Sequence, residues 1–126
     1  MSSYRVSRLG PDDLTAVHDL LDVFGYAFDE PDTYGMARPE GAYLTKLLER
    51  EQFIMLAAMD RQEVVAGLAA YVLDKFEQAR SEIYIYDLAV AAAHRRKGLA
   101  TALIEQLRDR ASVGRLCNFR AGRLRG

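Results

Sequence analysis

The sequence predicts an α+β fold built on one mixed sheet, and three observations point there. Two continuous apolar runs of strand length, residues 53–59 and 64–73, stand in the middle of the chain. Apolar residues at helical spacing lie both before and after them. The resulting order of strand, helix, helix, three strands and helix lacks the regular alternation of a parallel α/β sheet and contains no internal repeat. With 126 residues, half of them apolar, the chain suits a single domain spanning residues 1–126.

Tyr4 to Leu9 alternates in side-chain character as a short strand does, and Gly10-Pro11-Asp12 then breaks the pattern and offers a helix start. Leu14, Val17, Leu20, Leu21 and Phe24 recur at helical spacing, so an apolar stripe runs to about Phe24, with His18 beside it in a structural role. Between Gly25 and Gly41 the period is lost while Gly25, Pro31, Gly35, Pro39 and Gly41 accumulate, which predicts a long irregular connection of the kind that often carries binding sites. Ala42 to Arg50 returns to helical spacing, with Leu44, Leu47 and Leu48 inward. Phe53 to Met59, the polar turn 60–63 and Val64 to Leu73 predict a hairpin of buried strands. Glu82 to Val90 reads as a third strand, and strict alternation puts Ile83, Ile85 and Asp87 on one face against Tyr84, Tyr86 and Leu88 on the other. Lys97 to Arg110 is expected as a helix with an inner seam of Leu99, Leu103 and Leu107.

A net charge of -1 conceals an asymmetry: residues 1–94 carry 8 basic and 16 acidic side chains, residues 95–126 carry 9 and 2. A basic segment attracts phosphate-bearing ligands and an acidic one attracts cations, although solvated charge on helix faces explains either segment taken alone equally well. The single cysteine, Cys117, excludes an internal disulfide framework, and two isolated histidines give no metal site. No apolar stretch approaches the roughly 20 residues that cross a bilayer, and Met1 to Leu9 lacks the apolar core of a secretory signal. A cytoplasmic location with no membrane partner is therefore expected. The basic C-terminal segment lacks a groove-reading helix or an aromatic platform, so no nucleic-acid partner is expected either.

The most informative stretch is Asp87-Leu88-Ala89-Val90, followed by Ala91-Ala92-Ala93-His94 and then Arg95-Arg96-Lys97-Gly98-Leu99-Ala100-Thr101. Here a strand ends against a basic helix start. The first helical turn leaves unpaired N–H groups and a partial positive charge, which together can hold a pyrophosphate. Gly98 lets a phosphate approach the main chain, small Ala100 keeps the next turn clear, and Arg95, Arg96 and Lys97 add cationic charge. A lone glycine in a basic helix start is weak evidence by itself, and the preceding strand strengthens it. Arg95-x-x-Gly98-x-Ala100 after an apolar strand resembles the pyrophosphate loop of the GCN5-related N-acetyltransferases. Arg8-Leu9-Gly10-Pro11-Asp12, Ala69-Ala70-Tyr71-Val72-Leu73, Lys75-Phe76-Glu77-Gln78 and the run from Arg80 to Val90 resemble, more narrowly, the gentamicin-type aminoglycoside 3-N-acetyltransferases, over about four fifths of the chain.

The resemblance implies the acetyltransferase fold of that superfamily, a mixed and mostly antiparallel sheet flanked by helices. It also implies acetyl-coenzyme A as cofactor, a polycationic aminoglycoside as small-molecule substrate, and acetylation of its 3-amino group, an antibiotic-resistance activity. Main-chain groups of Leu88, Ala89 and Val90 would hold the pantetheine arm and polarise the thioester oxygen. Arg95, Arg96, Lys97, Gly98, Leu99, Ala100 and Thr101 would hold the diphosphate. Asp87 stands where the resemblance puts the acceptor-side carboxylate, able to attract the ammonium and take up its proton directly or through water. Its alternative is a strand-end carboxylate satisfied by local hydrogen bonds. Tyr86 joins it on the acceptor side, and Asp29, Glu30, Asp32 and Glu40 offer negative charge, which loop solubility explains equally well. Direct attack of the amine needs no covalent enzyme intermediate, so Cys117 is incidental.

After Arg110 the resemblance ends. The family would continue into a fifth strand, a helix bearing a tyrosine general acid, and final strands. Here Arg115 to Gly126 contains four arginines in twelve residues and no evident buried face. The expectation is family-like sequence over 1–110, an atypical basic tail over 111–126, and incomplete C-terminal elements from truncation or a frameshift. A one-base shift, with suitable codons, turns the tail into an apolar, β-branched run similar to the missing strand. A homodimer covering the open sheet edge and reduced or absent catalysis are the consequences. A coenzyme A-binding module or assembly partner impaired in catalysis stands as the alternative function.

Overall fold

The computed structural model describes residues 4–36, 38–111 and 117–125, with side chains described through residue 110. One sheet runs in the order β1 (Tyr4–Arg8), β2 (Phe53–Asp60), β3 (Glu63–Asp74), β4 (Ser81–Val90) and β5 (Cys117–Arg125). The first four strands pair antiparallel with their neighbours, and β5 pairs parallel with β4. Three helices cover it: α1 (Leu14–Ala27), α2 (Gly41–Glu49) and α3 (Leu99–Ala111). No described helix is long and apolar enough to cross a membrane.

The unbroken apolar runs of β2 and β3 follow from helices on both faces of the sheet, which leave the alternate side chains no wet side. On one face Leu99, Leu103 and Leu107 of α3 pack on Leu56, Leu68, Ile83, Ile85, Leu88 and Val90. On the other, Val17, Leu20 and Phe24 of α1 and Leu44 and Leu48 of α2 pack on Phe53, Met55, Ala57, Ala69 and Ala89. The helix α1 lies so close to β3 that a Cβ on Gly67 would sit 2.5 Å from Leu20 Cδ1 and 2.6 Å from the Leu56 carbonyl oxygen. That contact fixes both the glycine and the seat of the helix.

Two features depart from the sequence expectation. In β4 the register passes from Ile85 opposite Ala70 to Asp87 opposite Ala69, so Tyr86 is an extra residue, a β-bulge. Alternation resets there. Ile83 and Ile85 share the α3 side with Leu88 and Val90, and Asp87 turns to the α1 side with Tyr84 and Ala89 rather than joining the isoleucines. The second departure is β5, a nine-residue strand where the tail's composition suggests a poor one at best. Its main chain pairs with β4 from Ser81 opposite Cys117 to Ala89 opposite Arg125. Ladder bonds use backbone groups alone, and the open edge of β4 is a template for any chain of suitable reach. Arg115 and Leu116 of the tail lie outside the described residues.

Candidate functional site

The bulge turns Asp87 to the α1 side of the sheet, where it is buried. Its carboxyl is 4% exposed, Oδ2 accepts a hydrogen bond from the Tyr34 hydroxyl at 2.9 Å, and Oδ1 has no partner among the described residues. Burial pushes its pKa above the usual carboxylate range, and the Tyr34 hydrogen bond pulls it part of the way back. A carboxylate whose pKa is raised suits proton uptake from an amine better than a solvated one. Tyr34 comes from the connection that the sequence leaves irregular: α1 runs on to Ala27, and a π-helical turn over Asp32–Met36 carries the tyrosine inward. Its ring sits 5.9 Å from both Phe24 and Phe28. Burial and the neighbouring Asp87 raise the phenol pKa, so Tyr34 stays protonated and donates. Arg38 anchors the same connection, donating to the Tyr34 carbonyl at 2.7 Å and bridging Asp22, while His18 Nδ1 lies 3.2 Å from its Nη1. Sequence reasoning misses Tyr34 because nothing local marks it.

Beyond β4 the chain makes a 3₁₀ turn over Ala92–His94 and then a tight basic turn before α3. Gly98 adopts φ +79° and Arg96 φ +63°. Only the glycine takes that conformation without strain, and a Cβ there would meet nothing within 4 Å, so the backbone faces open space. Val90, His94, Arg96, Gly98, Leu99, Ala100 and Thr101 line a cleft of about 210 Å³ at this helix start. A basic side chain, an unobstructed glycine and the first-turn amides of α3 fit a diphosphate. The three expected cations separate: Arg96 lines the cleft, Lys97 does not, and Arg95 turns back to donate from Nε to the Val90 carbonyl at 3.1 Å. His94, which the sequence does not single out, lines the cleft with its Nδ1 2.9 Å from the Tyr4 hydroxyl.

Leu88 and Ala89 are buried, and their main chain runs beside Leu124 and Arg125 of β5, whereas Val90 lies past the last paired residue. A larger cleft of about 660 Å³ opens between α1 and the end of β4, lined by Asp19, Asp22, Tyr26, Glu63, Val90 and Arg95 among others. Its three carboxylates come from α1 and the start of β3, not from the acidic loop. Asp29, Asp32 and Glu40 are exposed and Glu30 half-buried, and none of the four lines this cleft. Tyr86 is 53% exposed beside Asp87 on the strand.

The acetyltransferase (GNAT) family model matches residues 15–116. No curated protein matches the chain. The crystal structure of an aminoglycoside acetyltransferase from an uncultured soil metagenomic sample is similar with a TM-score of 0.91 and 52% identity, over 94% of this chain and 78% of that one. A second such enzyme from an uncultured soil metagenomic sample, in complex with sisomicin, gives a TM-score of 0.84 and 27% identity over 94% and 76%. A ribosomal-protein-alanine N-acetyltransferase from Brucella melitensis biovar Abortus 2308, at 23% identity and a TM-score of 0.73 over 95% and 80%, shares the fold.

Proposed function

Because this chain belongs to the acetyltransferase (GNAT) family, we propose that it transfers an acetyl group from acetyl-coenzyme A to an aminoglycoside, at the 3-amino group that the sequence resemblance implies. The observation that carries the reading is Asp87, a buried carboxylate that the bulge turns to the α1 side of β4 and whose Oδ1 has no partner among the described residues. The 52% identity to an aminoglycoside acetyltransferase and the sisomicin complex of a second relative support the acceptor class.

Arg96, Gly98 and the first-turn amides of α3 would hold the cofactor diphosphate, with Thr101 beside them. The cofactor supplies an activated acetyl thioester. Asp87 receives the proton that the amine sheds as nitrogen forms the new bond to the acetyl carbon; the C–S bond breaks, the thiolate leaves and takes a proton from water, and Asp87 returns its own proton to solvent. Desolvation of Asp87 favours this, since a carboxylate short of hydrogen bonds accepts a proton more readily than a solvated one. A homodimer, with a second copy along an edge of the sheet at β1 or β5, belongs to the same proposal.

One observation favours the second reading, a coenzyme A-binding module impaired in transfer. Main-chain groups of Leu88 and Ala89 that would meet the pantetheine arm lie alongside β5. Titration with acetyl-coenzyme A by calorimetry, then incubation with sisomicin and mass spectrometry, separates the two. Binding with an acetylated product supports the transferase; binding without product supports the module; the absence of both refutes the reading.

A further inference from the structure

A row of aromatic rings crosses the sheet one pleat away from Asp87. Phe53 of β2 pairs opposite Tyr71 of β3, which pairs opposite Tyr84 of β4, while Met55, Ala69 and Asp87 form the next row on the same face. Ring centroids stand 5.2 Å apart for Phe53 and Tyr71, 5.9 Å for Tyr71 and Tyr86, and 6.2 Å for Tyr84 and Tyr86. The bulge places Tyr86 between the aromatic row and the carboxylate. Helix α1 and the Tyr34 turn cover the Asp87 end of this face, whereas Tyr71 and Tyr86 remain 36% and 53% exposed and Tyr43, near the start of α2, is 62% exposed. Burial raises the pKa of the Tyr71 phenol, and the neighbouring Tyr43, Tyr86 and Asp87 raise it further.

Exposed rings beside a buried, partly unsatisfied carboxylate have a definite chemical complement. Ring faces carry negative quadrupole charge and attract both cations and the polarised C–H faces of sugars. Phenol hydroxyls take and give hydrogen bonds, and the carboxylate wants an ammonium. A linear polyamine would use the carboxylate and leave most ring area uncovered. A cyclic, polyhydroxylated amine would use all three at once.

We propose that Tyr71, Tyr84 and Tyr86, whose ring planes are inclined by 83° (Tyr71 and Tyr86) and 57° (Tyr84 and Tyr86), form an angled aromatic platform, one face of which stacks on the saccharide ring that presents its amine to Asp87 while the others flank it, with Tyr43 at the rim, and that these tyrosines select cyclic amino sugars over acyclic polyamines. The proposal rests on the reading of Asp87 as the acceptor-side carboxylate. It names as specificity-determining three tyrosines, Tyr43, Tyr71 and Tyr84, to which the sequence resemblance assigns no role.

The test uses the full chain with Tyr71→Leu, Tyr86→Leu and the double variant, all at positions exposed enough to tolerate change. Ring-proton NMR shifts of Tyr71 and Tyr86 on titration with sisomicin give direct binding, and the ratio of kcat/KM for sisomicin to that for spermidine gives selectivity. Sisomicin is expected to shift both rings, and each single substitution to lower the ratio about tenfold, the effect of about 1.4 kcal/mol. Coenzyme A affinity, measured in parallel, should stay as in the parent. Ring shifts without any turnover would uphold the platform while defeating the transferase reading. Unperturbed tyrosine resonances, or equal losses with sisomicin and spermidine, would overturn the platform.

Discussion

Replacing Tyr34 with phenylalanine removes the hydroxyl that donates to Asp87 Oδ2 at 2.9 Å and leaves the ring packed against Phe24 and Phe28. Oδ1 already lacks a partner among the described residues, so the variant carboxylate would be buried with neither oxygen bonded to a described side chain. A hydrogen bond to a charged group contributes about 1.5–3 kcal/mol, and each 1.36 kcal/mol is a tenfold change in protonation equilibrium. At a pH on the acid side of the activity profile, the ionised fraction of Asp87 should therefore fall by roughly ten- to a hundredfold. The direction is fixed: burial holds the Asp87 pKa high, Tyr34 lowers it, and losing Tyr34 raises it further. The acid limb of kcat/KM for sisomicin should move to higher pH, with the plateau reached later. Stability follows the same sign. The folded state keeps the Asp87 proton over a pH window in which the unfolded chain has lost it, so stability falls as pH rises through that window, and Tyr34→Phe extends the window upward. The Asp87 13Cγ resonance reports the titration without any need for turnover. An acid limb and a 13Cγ titration unchanged from the parent would refute the account of Tyr34 as the donor that lowers the Asp87 pKa.

Asp87→Asn should lower kcat by about 10²–10⁴ and flatten the acid limb while leaving the thermal midpoint at neutral pH equal or higher, because a buried charge disappears; a lower midpoint would contradict that account. Gly67→Ala forces a methyl into Leu20 and the Leu56 carbonyl and should cost about 1–3 kcal/mol or more in urea unfolding, whereas an unshifted transition midpoint would mean that α1 is seated differently. Gly98→Ala meets no atom but must adopt φ +79°, a cost of about 1–2 kcal/mol, and with Arg96→Ala it should weaken coenzyme A binding in calorimetry by tenfold or more. Unaltered affinity in both variants would move the diphosphate away from the start of α3.

The parts of the fold that were legible in the sequence are those in which burial alone decides. Leu99, Leu103 and Leu107 repeat at helical spacing and are all core residues, as are Val17, Leu20 and Phe24. The buried hairpin shows in its apolar runs because both of its faces are covered. Gly98 and Arg96 line a cleft at the start of α3, whereas Arg95, the cation of the motif itself, turns back to the Val90 carbonyl. What stayed illegible depends on contacts between distant positions or on backbone alone. Tyr34 meets Asp87 across 53 positions of sequence, and no pattern near Tyr34 reports its partner. The acidic lining of the large cleft comes from Asp19 and Asp22, which read as the polar side of an amphipathic helix, and from Glu63, which reads as a turn. The strand β5 gives no hydrophobic signal because its pairing needs only main-chain groups.

The bulge separates what β4 owes to the fold from what it owes to chemistry. Without Tyr86 the strand alternates regularly: Ile83, Ile85, Leu88 and Val90 keep the α3 side, and Tyr84, Asp87 and Ala89 keep the α1 side. Removing Tyr86 therefore demands no exchange of faces, and it lets β3 and β4 pair without interruption, at the expense of a one-residue shift against β5. Core burial should survive, so a midpoint within about 5 °C of the parent is expected by circular dichroism. Transfer to sisomicin should not survive, because the local twist and the broken ladder that a bulge brings beside Asp87 are lost together with the aromatic ring. If the deletion variant unfolds at room temperature, the bulge serves the core; if it folds and acetylates at the parent rate, the bulge serves neither purpose.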